Sequence, residues 1–446
     1  MRFLGIGRDG SLGDMYMALL RAGHDVRTYI EDPKWRGILH GFIHVIDDWK
    51  RELEWVRQDN GIIIFERADQ GELQDALRRD GFNVIGGSAF GDRMENDRSF
   101  GQACMRRAGM TTAPTRHFTD FDKALAFVSG RPCRYVLKLN GADHASSCNV
   151  VGDMEDGRDI TALLNRHKAA WQAKNPPDFI LMDHVSGVEV GVGAYFNGDE
   201  FLEPTVMDWE HKRLFPGDLG ELTGEMGTLL TYRGGDTLFR KTLARMADQL
   251  RDGRYVGYIN INTIVNAQGI WPLEFTCRFG YPGAAICSTL HCQEWDILFR
   301  RMIDRDRLDF PTRAGFAVGV VLTVPPFPVA EEYSEQSKGL PVLFRQNPTD
   351  EDWRHLQLSE VEKSGDGLMT TGGMGSLMAV TGIGETAAAA QEEAYRRCRN
   401  VVVPGLRYRN DIGSRFIARD QILMREWGYW GRNSQNSPDQ SLQQMR

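Results

Sequence analysis

The chain has 446 residues, with 61 acidic and 53 basic side chains and a net charge of -8. Acids and bases are interspersed, which excludes a nucleic-acid or membrane-surface protein as the default expectation. The seven cysteines, Cys104, Cys133, Cys148, Cys277, Cys287, Cys292 and Cys398, form no C-x-x-C pair, which argues for reduced thiols in a cytoplasmic protein and against a zinc site. No stretch reads as a signal peptide or reaches transmembrane length.

A chain of this length holds roughly two to four domains. The N-terminal part alternates short apolar strands (2–6, 26–30, 62–65, 84–85) with helical patterns (12–22, 49–58, 72–79). That alternation predicts a βαβ unit with a parallel sheet. Gly5-x-Gly7-x-x-Gly10 follows the first strand, with Glu31 or Asp32 in the place of a dinucleotide-site acid. Without a recognisable nicotinamide site, the glycines read as a tight strand-to-helix turn at the edge of the sheet. From about residue 111 the pattern becomes α+β. Helices are expected at 122–129 and 161–173, and strands at 135–139, 180–182, 188–196, 258–265 and 270–275. A third α+β segment follows residue 311, with strands at 316–324 and 376–381 and a helix at 385–399. The last residues, rich in Asn, Ser and Gln, read as a disordered tail. The expected division is 1–112, 113–315 with a mobile lid at about 114–187, 316–430, and a tail at 431–446.

Four stretches carry chemistry. The strand around 271–276 delivers Glu274, Thr276 and then Arg278, which strand alternation places on one face. An acid, a hydroxyl and a guanidinium together suit a divalent cation and phosphate oxygens, while a half-buried strand whose Arg pairs with its own Glu fits equally. Lys138 ends an apolar strand, where its ammonium can hold an anion or simply reach solvent. Asp183 and Glu189 flank the strand containing Leu181 and Met182. There a strand edge can meet a base and a carboxylate can accept ribose hydroxyls. The run Glu210-His211-Lys212-Arg213 leads into a loop with Gly217-Asp218, Gly220, Thr223-Gly224 and Met226-Gly227, whose glycines let backbone N–H groups approach a ligand.

In order, these motifs resemble the glycinamide ribonucleotide synthetase (phosphoribosylamine–glycine ligase) family of the ATP-grasp superfamily, from about residue 1 to 419. The family's H-K-R-x-x-x-G-D-x-G-x-x-T-G-G-M-G matches 211–227, E-F-N-x-R-F-G-D-P-E matches 274–283, and its C-terminal motifs match Gly375 to Thr386 and Val403-Pro404-Gly405 to Arg415. The resemblance implies an ATP-grasp fold between a βαβ pre-ATP-grasp domain and a C-terminal α+β domain. It implies a cytoplasmic, ADP-forming ligase, monomeric or homodimeric, that joins an amino acid to an amine through an acyl phosphate. Phosphoribosylamine and glycine are the default substrates, with ATP and Mg2+ (or Mn2+) as cofactors and neither nucleic acid nor membrane as a partner. By the resemblance, Arg98, Lys138, Ser146 and Ser147 reach the phosphates; Leu181, Met182, Asp183 and Glu189 lie by the base and ribose. Glu274, Thr276 and Asn262 hold magnesium, and Arg278 stabilises the transferred phosphoryl group. Glu210, Lys212, Thr223 and Gly224 hold the amino acid, and Glu66 and Arg415 lie near the amine.

The departures from the family pattern cluster where substrates bind. Thr276 replaces a metal-binding Asn, and Asn262 is expected to compensate in part. The glycine-rich loop after the lysine is Ala142-Asp143-His144-Ala145-Ser146-Ser147-Cys148. G-x-G-G-R-E-H has become Gly5-Ile6-Gly7-Arg8-Asp9-Gly10-Ser11, only Glu66 remains of G-P-E, and Glu225 and Tyr281-Pro282-Gly283 replace family residues near the acceptor. Two other readings therefore stand beside the default: a paralogous ligase with a different amine, and a nucleotide-binding protein without turnover.

Overall fold

The computed structural model describes residues 1–139, 149–171, 178–306, 309–329 and 337–431. The N-terminal sheet is parallel throughout, in the order His44–Ile46, Asp25–Ile30, Arg2–Gly7, Ile62–Phe65, Asn83–Ile85. Ile62–Phe65 reads I-I-I-F and is buried at every position, as a central parallel strand covered on both faces must be. On one face Phe3, Ile62 and Ile64 pack with Leu12 and Met15 and with Leu298, Phe299 and Met302 of helix Trp295–Asp304. This apolar cluster ties the N-terminal sheet to the centre of the molecule.

The centre is an antiparallel eight-stranded sheet. Its order is Gly269–Thr276, Gly257–Asn266, Val188–Phe196, Phe201–Glu210, Gly227–Thr231, Phe316–Thr323, Ser376–Gly384, Leu356–Leu358. The sheet runs without a break past residue 315, because Gly227–Thr231 pairs directly with Phe316–Thr323. Helix Ala387–Cys398 lies on the strands of the last segment and buries Ala390 and Ala394.

A smaller antiparallel sheet, Thr115–Phe118, Phe179–Asp183, Tyr135–Leu139, Val150–Val151, carries its own core. Phe121, Val128, Tyr135, Leu137, Ile160, Leu164 and Phe179 fill it, supplied by the strands and by helices Phe121–Gly130 and Arg158–Trp171. A separate small core is what allows such a unit to move as a body. Among the described residues no disulfide forms, and no helix is long and apolar enough to cross a membrane.

Candidate active site

Three cations from three elements converge on Glu274. Tyr135–Leu139 alternates buried and half-buried positions. Tyr135, Leu137 and Leu139 fill the small core while Lys138 points the other way, as the period of two requires. Arg98 opens helix Arg98–Arg107, whose N-cap Asp97 accepts from the Phe100 backbone N–H at 2.9 Å. Lys212 follows the end of strand Phe201–Glu210. Lys138 Nζ lies 3.0 Å and Arg98 Nη1 2.6 Å from Glu274 Oε2, and Lys212 Nζ lies 3.6 Å from Oε1. The Lys138 ammonium, with Lys212 and Arg98, holds the Glu274 carboxyl well below the usual carboxylate range despite its burial.

Asn262 is the cross-strand neighbour of Glu274. Its amide donates to Glu189 Oε1 at 3.0 Å and to Glu210 Oε2 at 3.4 Å. Lys212 Nζ is 3.0 Å from Glu210 and 3.5 Å from Glu189. Burial opposes charge on Lys212, but Glu210, Glu189 and Glu274 outweigh it and push its ammonium further toward the protonated form. Sequence reasoning missed what lies beneath. Asp208 accepts from Asn260 at 2.6 Å, and burial, then the Glu210 charge, pushes its carboxyl up to about 8. Gly191 makes room for it, since a Cβ there would sit 2.2 Å from Asp208 Oδ1.

Arg278 does not share the Glu274 site. The strand ends at Thr276, so alternation no longer governs residue 278, and a register shift at 262/263 precedes it. Arg278 Nε lies 3.0 Å from Glu95 Oε1, while the Cys277 backbone N–H donates to Glu95 Oε2 at 2.6 Å. Glu95 thus fixes both the backbone and the side chain at this corner. It sits three residues before Arg98 on a preceding helix, and nothing in the local sequence pattern marks it. Thr276, half-buried, lies across from Asn260.

Arg278 opens onto a cavity of about 330 Å³. Its walls come from the N-terminal sheet's loops (Asp9, Ser11, Trp35, Glu66), from Arg278 and Tyr281, and from Glu360 and Ser376 of the last segment. Glu66 is 1% exposed. It accepts from Tyr16 Oη at 2.8 Å and from the Ser11 backbone N–H at 3.2 Å. Burial, then the Asp9 charge, pushes its carboxyl up to about 7. Gly7 is required by this approach, because a Cβ there would lie 1.9 Å from Glu66 Oε2. The glycine turn after the first strand therefore makes space for an acid, while Asp32 caps the short helix Pro33–Trp35 instead of facing a ribose.

The remaining expected residues are spread more widely. The strand carrying Leu181 and Met182 is interior, flanked by Thr115–Phe118 and Tyr135–Leu139. The expectation of a free strand edge there is corrected, since ladders run on both sides. Asp183 forms a two-pronged pair with Arg131, both contacts at 2.6 Å. The Thr223 hydroxyl and backbone N–H both donate to the Lys212 carbonyl at 2.8 Å, so Thr223 shapes the hairpin, and Gly224 beside it faces open space. Arg415 lies away from the cavity and pairs with Asp218 at 3.2 Å and Asp420 at 3.0 Å. Asp218 also meets the buried Arg409 at 2.9 Å. Ser146 and Ser147 lie outside the described residues.

A small antiparallel sheet with its own core, a large antiparallel sheet and an array of cations between them define an ATP-grasp fold. Residues 96–284 match the family described as Phosphoribosylglycinamide synthetase, ATP-grasp (A) domain. The chain is similar to a phosphoribosylamine–glycine ligase of Listeria monocytogenes serotype 4b (strain F2365), 26% identical over 76% of this chain and 80% of that one. A phosphoribosylamine–glycine ligase of Ralstonia nicotianae is also 26% identical, over 78% and 82%. The crystal structure of the Thermotoga maritima phosphoribosylamine–glycine ligase superposes with a TM-score of 0.70 at 21% identity, covering 92% of this chain and all of that one. The biotin carboxylase domain of Hydrogenobacter thermophilus 2-oxoglutarate carboxylase, in complex with MgADP, superposes with a TM-score of 0.65 at 11% identity.

Proposed function

We propose that the protein is an ADP-forming carboxylate–amine ligase whose reference reaction joins glycine to phosphoribosylamine, the substrates named by its curated relatives. The observation that carries this reading is the convergence of Arg98, Lys138 and Lys212 on Glu274. Lys212 also answers Glu210 and Glu189, but Arg98 and Lys138 both close on the single Glu274 carboxylate, which exceeds what an ion pair needs and suits a polyphosphate that would share them. Glu274, with the neutral oxygens of Asn262 and Thr276, fits a magnesium ion that takes its other ligands from phosphates and water. Among the described residues there is no cluster of three metal-binding side chains that would hold an ion alone. Bound there, magnesium would screen the phosphate charge.

In this reading Lys138 and Arg98 orient the polyphosphate, and Glu189 reaches the ribose. Leu181, Met182 and Asp183 lie toward the base. Lys212, Glu210 and Gly224 hold the amino acid, with Thr223 fixing their hairpin. The glycine carboxylate takes the terminal phosphoryl group of ATP, releasing ADP and leaving an acyl phosphate. The amine nitrogen bonds to the acyl carbon, the carbon–oxygen bond to phosphate breaks, and a proton leaves the nitrogen. Arg278, held by Glu95 at the mouth of the cavity, stabilises charge on the departing group, and Glu66 faces the amine. Arg415 acts from a distance by anchoring Asp218 on the substrate hairpin.

The test is magnesium-dependent ADP release from ATP with glycine and freshly generated phosphoribosylamine. The expected result is a rate that needs both substrates. Tight ATP binding with no release for any acid and amine pair would overturn the reading.

A further inference from the structure

The cavity beside Arg278 has an unusual charge balance for a site that would receive a phosphorylated amine. Five carboxylates and two guanidiniums line it, and each guanidinium already faces a carboxylate through its Nε edge. Arg278 is paired with Glu95 at 3.0 Å. Arg67 is paired with Asp69 at 2.8 Å and lies 3.9 Å from Asp9. Glu66 and Glu360 remain, 1% and 6% exposed, and among the described residues neither has a cationic partner in an ion pair. Glu360 accepts from the Gly375 backbone N–H at 2.6 Å, which fixes it against the wall. Asp9 adds a buried Oδ1 with no hydrogen-bond partner.

A buried carboxylate without a cation is costly, and burial pushes Glu66 up to about 7 and Glu360 up to about 8. An ammonium entering between them would offset that cost, whereas a phosphate dianion would enter a wall on which carboxylates outnumber guanidiniums and Arg278 and Arg67 each already face one. The rest of the wall suits a polyol. Trp35 offers an aromatic face, and Ser11, Ser376 and Asn96 offer hydrogen-bonding groups. A volume of about 330 Å³ lies at the small end of ligand pockets and admits a single sugar ring.

We propose that this cavity takes an unphosphorylated, ammonium-bearing polyol, an amino sugar, as a further acceptor of the ligase. This rests on the ligase reading above: the ammonium first gives one proton to the Glu66 or Glu360 carboxylate, the free amine then bonds to the acyl carbon as the carbon–oxygen bond to phosphate breaks, and the second proton leaves with solvent. Phosphoribosylamine remains the reference against which the new acceptor is measured.

Calorimetric titration of the full-length protein with D-glucosamine, D-glucose and glucosamine 6-phosphate separates the contributions of charge and phosphate. D-glucosamine is expected to bind about tenfold or more tighter than either of the others, since each tenfold step is about 1.4 kcal/mol. That preference should fall about tenfold in Glu360→Gln and in Glu66→Gln, which retain shape without charge. Equal or tighter binding of glucosamine 6-phosphate, equal binding of D-glucose, or no binding of D-glucosamine overturns the inference, whatever the variants do. ADP release is followed in the same preparation. Release with glycine and phosphoribosylamine, together with tighter binding of the phosphorylated sugar, sinks this inference and leaves the ligase reading intact. Charge-selective binding of D-glucosamine with no ADP release from ATP, glycine and D-glucosamine overturns the acceptor role, and no release from any pair sinks the ligase reading with it.

Discussion

The surroundings of Glu274 and the cavity at Arg278 lie close together on one chain and differ in charge balance. At Glu274 three cations meet one carboxylate, and one of them, Lys212, is shared with Glu210 and Glu189. At Arg278 carboxylates outnumber cations, and both guanidiniums are already paired. The first arrangement sets Arg98, Lys138 and Lys212 against Glu274, Glu210 and Glu189, while the second carries an excess of carboxylates that a cationic ligand can relieve. The comparison teaches that two nearby points of one chain take different charge balances from the elements packed against them, Arg98 and Lys138 at Glu274 and Glu95 at Arg278.

The largest effect should come from dismantling the cationic side. Lys138→Ala or Glu274→Ala is expected to lower ADP release by roughly a thousandfold in steady-state assays, the scale of lost electrostatic preorganisation. A small effect would mean that the convergence is merely structural.

On the acidic side, Glu66 gives a pH signature. Its folded-state value of about 7 lies above the ordinary 4.5, so the folded state binds the proton more tightly than the unfolded chain. The resulting stabilisation is full below about pH 4.5 and is lost as pH rises through about 7. Relative to Glu66→Gln, the native protein should therefore lose about 3 kcal/mol across that window, measured by urea unfolding at a series of pH values. A pH-independent difference would break the contrast.

Glu95→Gln should reduce turnover by roughly thirtyfold while leaving the KM for ATP nearly unchanged, because Glu95 positions Arg278 and lies outside the cationic cluster. Arg409→Met removes the buried partner of Asp218 and Asp411. It should cost about 2 kcal/mol in unfolding, since both acids keep some solvent contact, and should raise the KM for the amino acid more than it lowers kcat. The smallest effect is expected from Asn262→Ala, a few-fold rise in the magnesium concentration needed for half-maximal ADP release. An unchanged requirement would remove Asn262 from the metal site.

Much of the cationic side was legible in the sequence. Lys138 closes a short alternating strand, and Glu274 stands in a long apolar one, so periodicity alone presents both side chains. The parallel N-terminal sheet was equally legible, because strands such as 62–65 are apolar at every position. The acidic cavity was not. Its walls come from a glycine turn, a short helix at 33–35, a helix end at 95–96 and the residues 359–360 and 374–376 on either side of a hairpin, which no local pattern links. Arg278 was expected beside Glu274 and is not there, because the strand stops two residues earlier and Glu95 claims the guanidinium. Arg415 was expected near the amine, but two aspartates from separate segments hold it elsewhere. The free strand edge expected at 181–182 failed for a similar reason, since pairing partners on both sides come from distant parts of the chain.

The most direct test of the central claim is to follow oxygen from the acid into the released phosphate. Glycine labelled with heavy oxygen in its carboxylate is incubated with ATP, magnesium, an amine acceptor and the protein, and the phosphate is analysed by mass spectrometry. An acyl phosphate intermediate predicts one labelled oxygen in each phosphate formed. ADP release that yields only unlabelled phosphate would contradict it.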